Sequence, residues 1–320
     1  MAAMLSLTTQ RAKADFALTI FYAAFAVCAV ALRLFCRVLA RKHLRPDDYT
    51  LLASLVFCLG MCASNIVEIV LGGMGRHVED VPPDNMVIVL KNIIVFQIMW
   101  GVSLMFVKLS FLLFFSKIFS VGESQPVFKF AIAFVLLWGV GNVLSALLVC
   151  QPIAFNWDPT IPGGVCGNRP ASYISVGILH IITDVMVLVI PIPYIWRLQM
   201  KISRKISVFI VFCMGFRCGP LAPLSVAMAY EVYSCCIISL VRVIELFQVT
   251  YDDITYSLVP GSYLTLLEPA FAIFIFASLP AMAPLADRIS SLRARKSTSR
   301  GRDVNSLHTD DEFEIQPSKV

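Results

Sequence analysis

YISVGILHIITDVMVLVIPIPYIWRL, residues 173–198, decides the class of fold. It is almost wholly apolar, long enough to cross a bilayer, and carries one carboxylate, Asp184, in its middle. A helix rises about 1.5 Å per residue, so one starting near Ala171 places Asp184 roughly 20 Å deep in a hydrocarbon layer about 30 Å thick. A charge there is costly unless it is protonated, paired or wetted, which makes Asp184 a candidate functional residue. Pro191 and Pro193 close the run, and Arg197, Lys201, Arg204 and Lys205 follow it.

The rest of the chain repeats this pattern. Hydrophobic residues make up 58% of it and charged residues 15%, with a mean hydropathy of +0.79. Soluble domains run nearer to about 45–50% apolar and 25% charged. The sequence therefore reads as an all-α polytopic membrane protein, with the lipid bilayer as its first partner. The net charge of +5 does not point to nucleic acid, because the basic residues cluster at the ends of apolar runs, where they fix topology.

Further apolar spans read as 14–36, from just after Asp47-Asp48-Tyr49 to about 71, 86–119, 127–149, 206–247 and 258–285, which makes seven in all. Arg37, Arg41, Lys42 and Arg45 follow the first, Lys117 and Lys129 flank the 3–4 connection, and Arg197, Lys201, Arg204 and Lys205 fill the 5–6 connection. The opposite side is poor in Lys and Arg. The positive-inside rule then places the N-terminus outside and the C-terminus in the cytosol. The expected organisation is a short outer tail (1–13), a membrane domain (14–285), and a polar, disordered cytosolic tail (286–320).

Span six is anomalous, being about twice the length that one crossing needs. Its centre, FRCGPLAPLSVAMAYEVYS, carries Pro220 and Pro223, which a continuous helix disfavours. Removing residues 217–234 joins two apolar halves into one clean span. Their 18 codons suit a short intron, so the segment reads as a retained intron. A re-entrant or broken helix is the alternative. Sequencing spliced mRNA across this region decides between them.

The outer loop 150–170 is bracketed by Cys150 and Cys166. Disulfides persist outside the cell, and a bridge there is expected, worth about 3 kcal/mol in the chain-entropy model. The alternative is two unrelated thiols. His77 and Pro82-Pro83 lie in the preceding outer loop, where a solvated histidine is the plain reading.

Taken in order, these features resemble a family. Arg33 and Arg37 stand with Asp47-Asp48-Tyr49, and Gly73-x-Gly75-x-His77 follows span two. Lys108-Leu-Ser and Phe114-Phe115-x-Lys-Ile-Phe119 end span three, and Cys150-x-Pro152, Trp157 and Gly164-x-Cys166 mark the large loop. Asp184, Pro191, Arg242, Glu268, Leu279-Pro280 and Pro284-Leu285 complete the set. The chain is similar in these to the fungal rhodopsin-domain group of seven-helix membrane proteins. Two departures stand out: the segment 217–234, and Tyr263 in the neighbourhood where the family usually carries tryptophan. The resemblance implies a receptor-like protein of the plasma membrane that senses an external or membrane-borne cue, an unknown ligand, and signals to a G protein or other cytosolic effector. No cofactor is expected, since retinal needs a lysine in the last helix and residues 258–285 contain none.

The intramembrane polar candidates are Asp184, Glu268, Lys108, Arg242 and Glu68. Depth counting puts Glu268 about 15 Å in and Lys108 about 30 Å in. Asp184 and Glu268 thus lie close enough in depth to share a proton or bind a cation, or to fix packing through hydrogen bonds alone. A Lys108–Asp184 pair would bridge about 10 Å of depth and is not the leading expectation. Arg242, near the outer end of span six, is expected to meet Glu68 or Glu245, or to snorkel. His180 and Asp184 share a helix face, but two ligands do not make a metal site. The histidines do not converge by spacing, and no enzyme is expected. A small-solute or ion transporter using Asp184 and Glu268 is the alternative function.

Overall fold

A computed structural model describes residues 9–39, 41, 43–118, 124–158, 160–190, 237–245 and 254–281. The segment 217–234, Pro191 and the tail 286–320 lie outside these residues. The helices are α1 (Gln10–Leu39), α2 (Pro46–Val70), α3 (Pro83–Ile118), α4 (Ser124–Leu148) and α5 (Arg169–Val189). A helical segment at 237–245 (α6) falls within the expected sixth span. A single turn, Ile254–Ser257, leads into α7 (Val259–Ala281). Among the described residues, six helices are long and apolar enough to cross a membrane. The protein is all-α and polytopic. α1 starts four residues earlier than the sequence pattern placed it, and α3 three residues earlier.

The inner helices are α3 and α7. Of their span windows 61% is buried, against 28% for α1 and α5. α3 packs against α2, α4, α5 and α7, while α7 also packs on α1 and α2. The core between them is built from Trp100, Leu104, Leu112, Leu266 and Ile273, all almost fully enclosed. Large apolar side chains such as Phe21, Phe35, Phe130 and Leu137 point outward, as helices facing lipid tails require. Close approach of α3 and α4 depends on Gly101, where an added Cβ would run into the Asn142 amide.

Local signals explain the helix starts. Pro46 opens α2, and the Asp48 carboxylate accepts the Arg45 N–H at 3.0 Å. Asn168 caps α5 by accepting the Ala171 N–H at 3.0 Å, with Pro170 in the first turn. Both place an acceptor against amides that a helix leaves unsatisfied.

The Gly-x-Gly-x-His stretch forms the turn between α2 and α3. Gly73 and Gly75 adopt φ of 75° and 86°, which glycine alone takes up cheaply. The Gly75 N–H donates to the Thr255 carbonyl at 3.0 Å, the Thr255 hydroxyl donates to the Arg76 carbonyl at 2.8 Å, and His77 stacks on Tyr256 with centroids 4.4 Å apart. This turn thus anchors the start of α7. Gly75→Ala is expected to lower stability by about 1–2 kcal/mol through left-handed strain, with a new Cβ also 3.3 Å from the Ala12 nitrogen. Thermal unfolding of the purified protein checks it.

Cys150 and Cys166 are joined by a disulfide, as the loop position suggests. They face each other across a two-stranded antiparallel ribbon, β1 (Cys150–Gln151) and β2 (Val165–Cys166). The Arg169 guanidinium lies 3.2 and 3.3 Å from the two sulfurs, so the ribbon sits on the first turn of α5. Cys150→Ser with Cys166→Ser is expected to cost about 3 kcal/mol, read as a lower midpoint of unfolding under non-reducing conditions. In the same loop, hydrogen bonds from the Thr160 hydroxyl and amide hold Asp158 below the usual carboxylate range. Trp157 lies under the Lys91 ammonium, 5.3 Å from the ring centre.

Candidate functional site

Four intramembrane charges meet in one buried cluster. The Lys108 ammonium from α3 lies 3.0 Å from Asp184 Oδ1 on α5, donates to the Thr183 hydroxyl at 2.5 Å, and lies 2.9 Å from His180 Nδ1. An ammonium only donates, so Nδ1 accepts and the His180 proton sits on Nε2. That nitrogen lies 2.6 Å from Glu268 Oε1 on α7 and 3.1 Å from Asp184 Oδ2. The Ser239 hydroxyl of α6 lies between the same carboxylates, 2.6 Å from Glu268 Oε1 and 3.1 Å from Asp184 Oδ2. Trp100 Nε1 donates to Glu268 Oε2 at 3.0 Å. Arg242 completes the cluster, with Nη1 4.0 Å from Glu268 Oε2 and Nε donating to Thr265 at 3.1 Å.

Aromatic rings wall this cluster. Arg242 stacks over Trp100 at 3.6 Å and Lys108 lies over Trp138 at 4.6 Å. Trp100 and Trp138 each hold their ring centres 5.1 Å from that of His180. Two cations therefore balance two carboxylates within hydrocarbon, each with hydrogen-bonded neighbours, the arrangement that makes buried charge tolerable. His180, Asp184 and Glu268 present ligand atoms within 4.8 Å of one another, close enough to hold a cation. Lys108 and Arg242 already neutralise both carboxylates, so the cluster needs no metal for charge balance.

Two expected pairings are corrected. Lys108 does pair with Asp184. The depth count failed because α3, at 36 residues, is about 54 Å long and outreaches the hydrocarbon, so counting from its start sets Lys108 too deep. Arg242 meets Glu268 rather than Glu68, because it lies across the Trp100 face toward α7. Glu68 instead accepts from Asn92 Nδ2 at 3.3 Å. The sequence reading missed His180 as the bridge between Asp184 and Glu268. Its i, i+4 spacing from Asp184 was the available signal; nothing local marked Trp100 or Ser239.

A second cluster lies about two turns further along α7, toward its C-terminal end. Arg33 Nη2 reaches Asp47 Oδ2 at 2.7 Å, Nε reaches Asp48 Oδ1 at 2.7 Å, and Nη1 donates to the Phe276 carbonyl at 2.7 Å. Arg37 lies 3.0 Å from Asp47 and 3.2 Å from Asp48, the latter contact being an ion pair without hydrogen-bond alignment, since Arg37 Nε is unpartnered. The Ser110 hydroxyl of α3 donates to the Asp47 carbonyl at 2.6 Å. Four helices are thus clasped at one end. Tyr49, next to this clasp in sequence, is 59% exposed and takes no part.

At the end of the bundle opposite the clasp opens a cavity of about 160 Å³. Leu90, Ile94 and Phe96 supply apolar wall, and Glu68, Arg242 and Glu245 supply charge. Arg242 is the link, since it lines this cavity and belongs to the buried cluster.

A family model for the fungal rhodopsin domain matches residues 32–288. Among curated proteins the chain is 24% identical to the polyenoic acids biosynthesis gene cluster protein Ba17b of Metarhizium anisopliae, over 89% of this chain and 77% of that protein. It is 29% identical to a SAT4 family membrane protein of Emericella nidulans, over 45% of this chain and 38% of that one. It is 24% identical to the receptor GIN3 of Arthrobotrys oligospora, over 58% of this chain and 45% of that one. The alignments with the last two thus span less than half of those relatives' lengths. No solved structure matches the chain.

Proposed function

We propose, for a chain that belongs to the fungal rhodopsin domain family, a receptor-like role at the plasma membrane. An external or membrane-borne cue occupies the outer cavity, shifts α7, and changes the surface offered to a G protein or another cytosolic effector. One observation carries this reading. Arg242 faces the cavity and also holds Glu268 of α7, while the Phe276 carbonyl of that helix rests on Arg33 in the clasp. Glu268 and Phe276 are eight residues apart, about 12 Å along one rigid helix. A cue that moves Arg242 therefore strains contacts both at the middle of α7 and two turns further along it. That one relative is named a receptor is in keeping with this.

The test is proximity labelling in a fungal host from a tag at the C-terminus, which the positive-inside count places in the cytosol. Enrichment of G-protein subunits over a control seven-span protein is the expected result. Labelled cytosolic proteins without signalling components would count against a receptor.

A small-solute or ion transporter is the second reading. Its support is Asp184, which keeps 14% side-chain exposure while Glu268 and Lys108 are more enclosed. If that reading holds, Asp184→Asn abolishes a pH-dependent flux; under the receptor reading no such flux exists in vesicles carrying the protein.

A further inference from the structure

The outer cavity holds a buried acceptor with no donor. Glu68 is 2% exposed. Its Oε2 accepts from Asn92, and Oε1 has no partner among the described residues. A carboxylate oxygen enclosed in this way loses water without compensation. One helical turn away on the same face of α2, the oxygen of fully buried Asn65 is also unpartnered. The Asn65 amide donates to Asp15 Oδ1 at 3.2 Å, and the Ser262 hydroxyl lies 3.5 Å from Asp15 Oδ2. Asp15 is 1% exposed, and no Lys or Arg among the described residues pairs with it or with Glu68. Of these residues Glu68 and Ser262 line the cavity, and Asp15 and Asn65 stand next to them, so this side of the cavity carries negative charge.

The cavity's cations are engaged elsewhere. Arg242 is held by Glu268, Thr265 and the Trp100 face, and Arg169 lies on the disulfide sulfurs. Leu90, Ile94 and Phe96 add apolar lining. An ammonium group would supply the donor that Glu68 Oε1 lacks, and an attached hydrocarbon would cover the apolar wall. We infer that this cavity binds an apolar molecule carrying a protonated amine, with the Glu68 carboxylate as its counter-ion. This deepens the receptor reading by naming the chemistry of the cue and rests on it for its signalling role, although binding itself is measurable without signalling.

The experiment uses the full-length protein in nanodiscs of neutral lipid and compares n-octylamine, n-octanol and octanoate as probes by calorimetry. Octylamine is expected to bind at least tenfold more tightly than either of the others. Glu68→Gln should remove that preference and leave octanol binding as it was. Leu90→Trp, which fills the apolar part and keeps Glu68, should weaken octylamine and octanol together, and it serves where Glu68→Gln does not fold. Octanoate binding as tightly as octylamine would overturn the inference, as would unchanged amine binding in Glu68→Gln. Stabilisation by sodium over choline, undiminished by octylamine, would overturn it too, by assigning the acceptors to an inorganic ion. Should amine binding hold while proximity labelling finds no signalling partner, the receptor reading fails and the ligand class stands.

Discussion

Glu268→Ala is expected to leave little folded protein. The change takes the partner from Arg242, His180, Trp100 and Ser239 at once, and stranding a buried charge costs about 3–5 kcal/mol. Glu268→Gln should be milder, because an amide oxygen still accepts from Trp100 or Ser239 although the charge on Arg242 and Lys108 goes unbalanced. Adding Arg242→Gln to Glu268→Gln should then restore part of the loss, since it removes the surplus cation. The yield of monodisperse protein and its thermal midpoint in one detergent read all three variants. If Glu268→Ala matched the parent protein, the cluster would not hold the bundle together.

The second large effect is expected at the clasp. Arg33→Leu leaves Asp47 and Asp48 with only Arg37, and leaves the Phe276 carbonyl without its donor. The expected loss is again about 3–5 kcal/mol. Arg33→Lys keeps the charge but not the fork, and one ammonium cannot reach two carboxylates and a carbonyl together. It should fall between Leu and the native residue, by about 1.5–3 kcal/mol, the range for one charged hydrogen bond lost. Equal stability of the Lys variant and the native protein would mean that the guanidinium geometry does not matter.

Much of this architecture was legible in the residues. Spans one to five and seven follow from apolar run length alone, and Cys150 with Cys166 followed from their loop. Asp184, Glu268, Lys108 and Arg242 announced themselves as charges within apolar runs, where any ionisable group needs a partner. Which partner each one takes was not legible. That depends on how helices slide and tilt against each other, and the over-long α3 defeats depth counting at Lys108. His180 looked like an ordinary histidine in an apolar run until α7 brought Glu268 to its Nε2. The clasp hid for another reason. Arg37 was counted as a loop charge that sets topology, yet it lies buried against Asp47 and Asp48. An arginine at a helix end reads the same whether it faces water or a carboxylate on the next helix. The donor-less oxygen of Glu68 is equally invisible, because absence of a partner is a property of packing.

The proposed role requires the cluster at Glu268 and the clasp at Phe276 to act on each other through α7. A double-mutant cycle with Arg242→Lys and Arg33→Lys measures this directly, by reversible denaturant unfolding in mixed micelles. Both changes keep charge, and no hydrogen bond or ion pair joins the two residues, so independent sites would add to within about 0.3–0.5 kcal/mol. Transmission through α7 predicts a coupling beyond that limit, as expected if loosening one contact on the helix lets the other relax. Additivity within it would contradict such transmission, leaving two separate structural ion clusters that happen to lie on one helix.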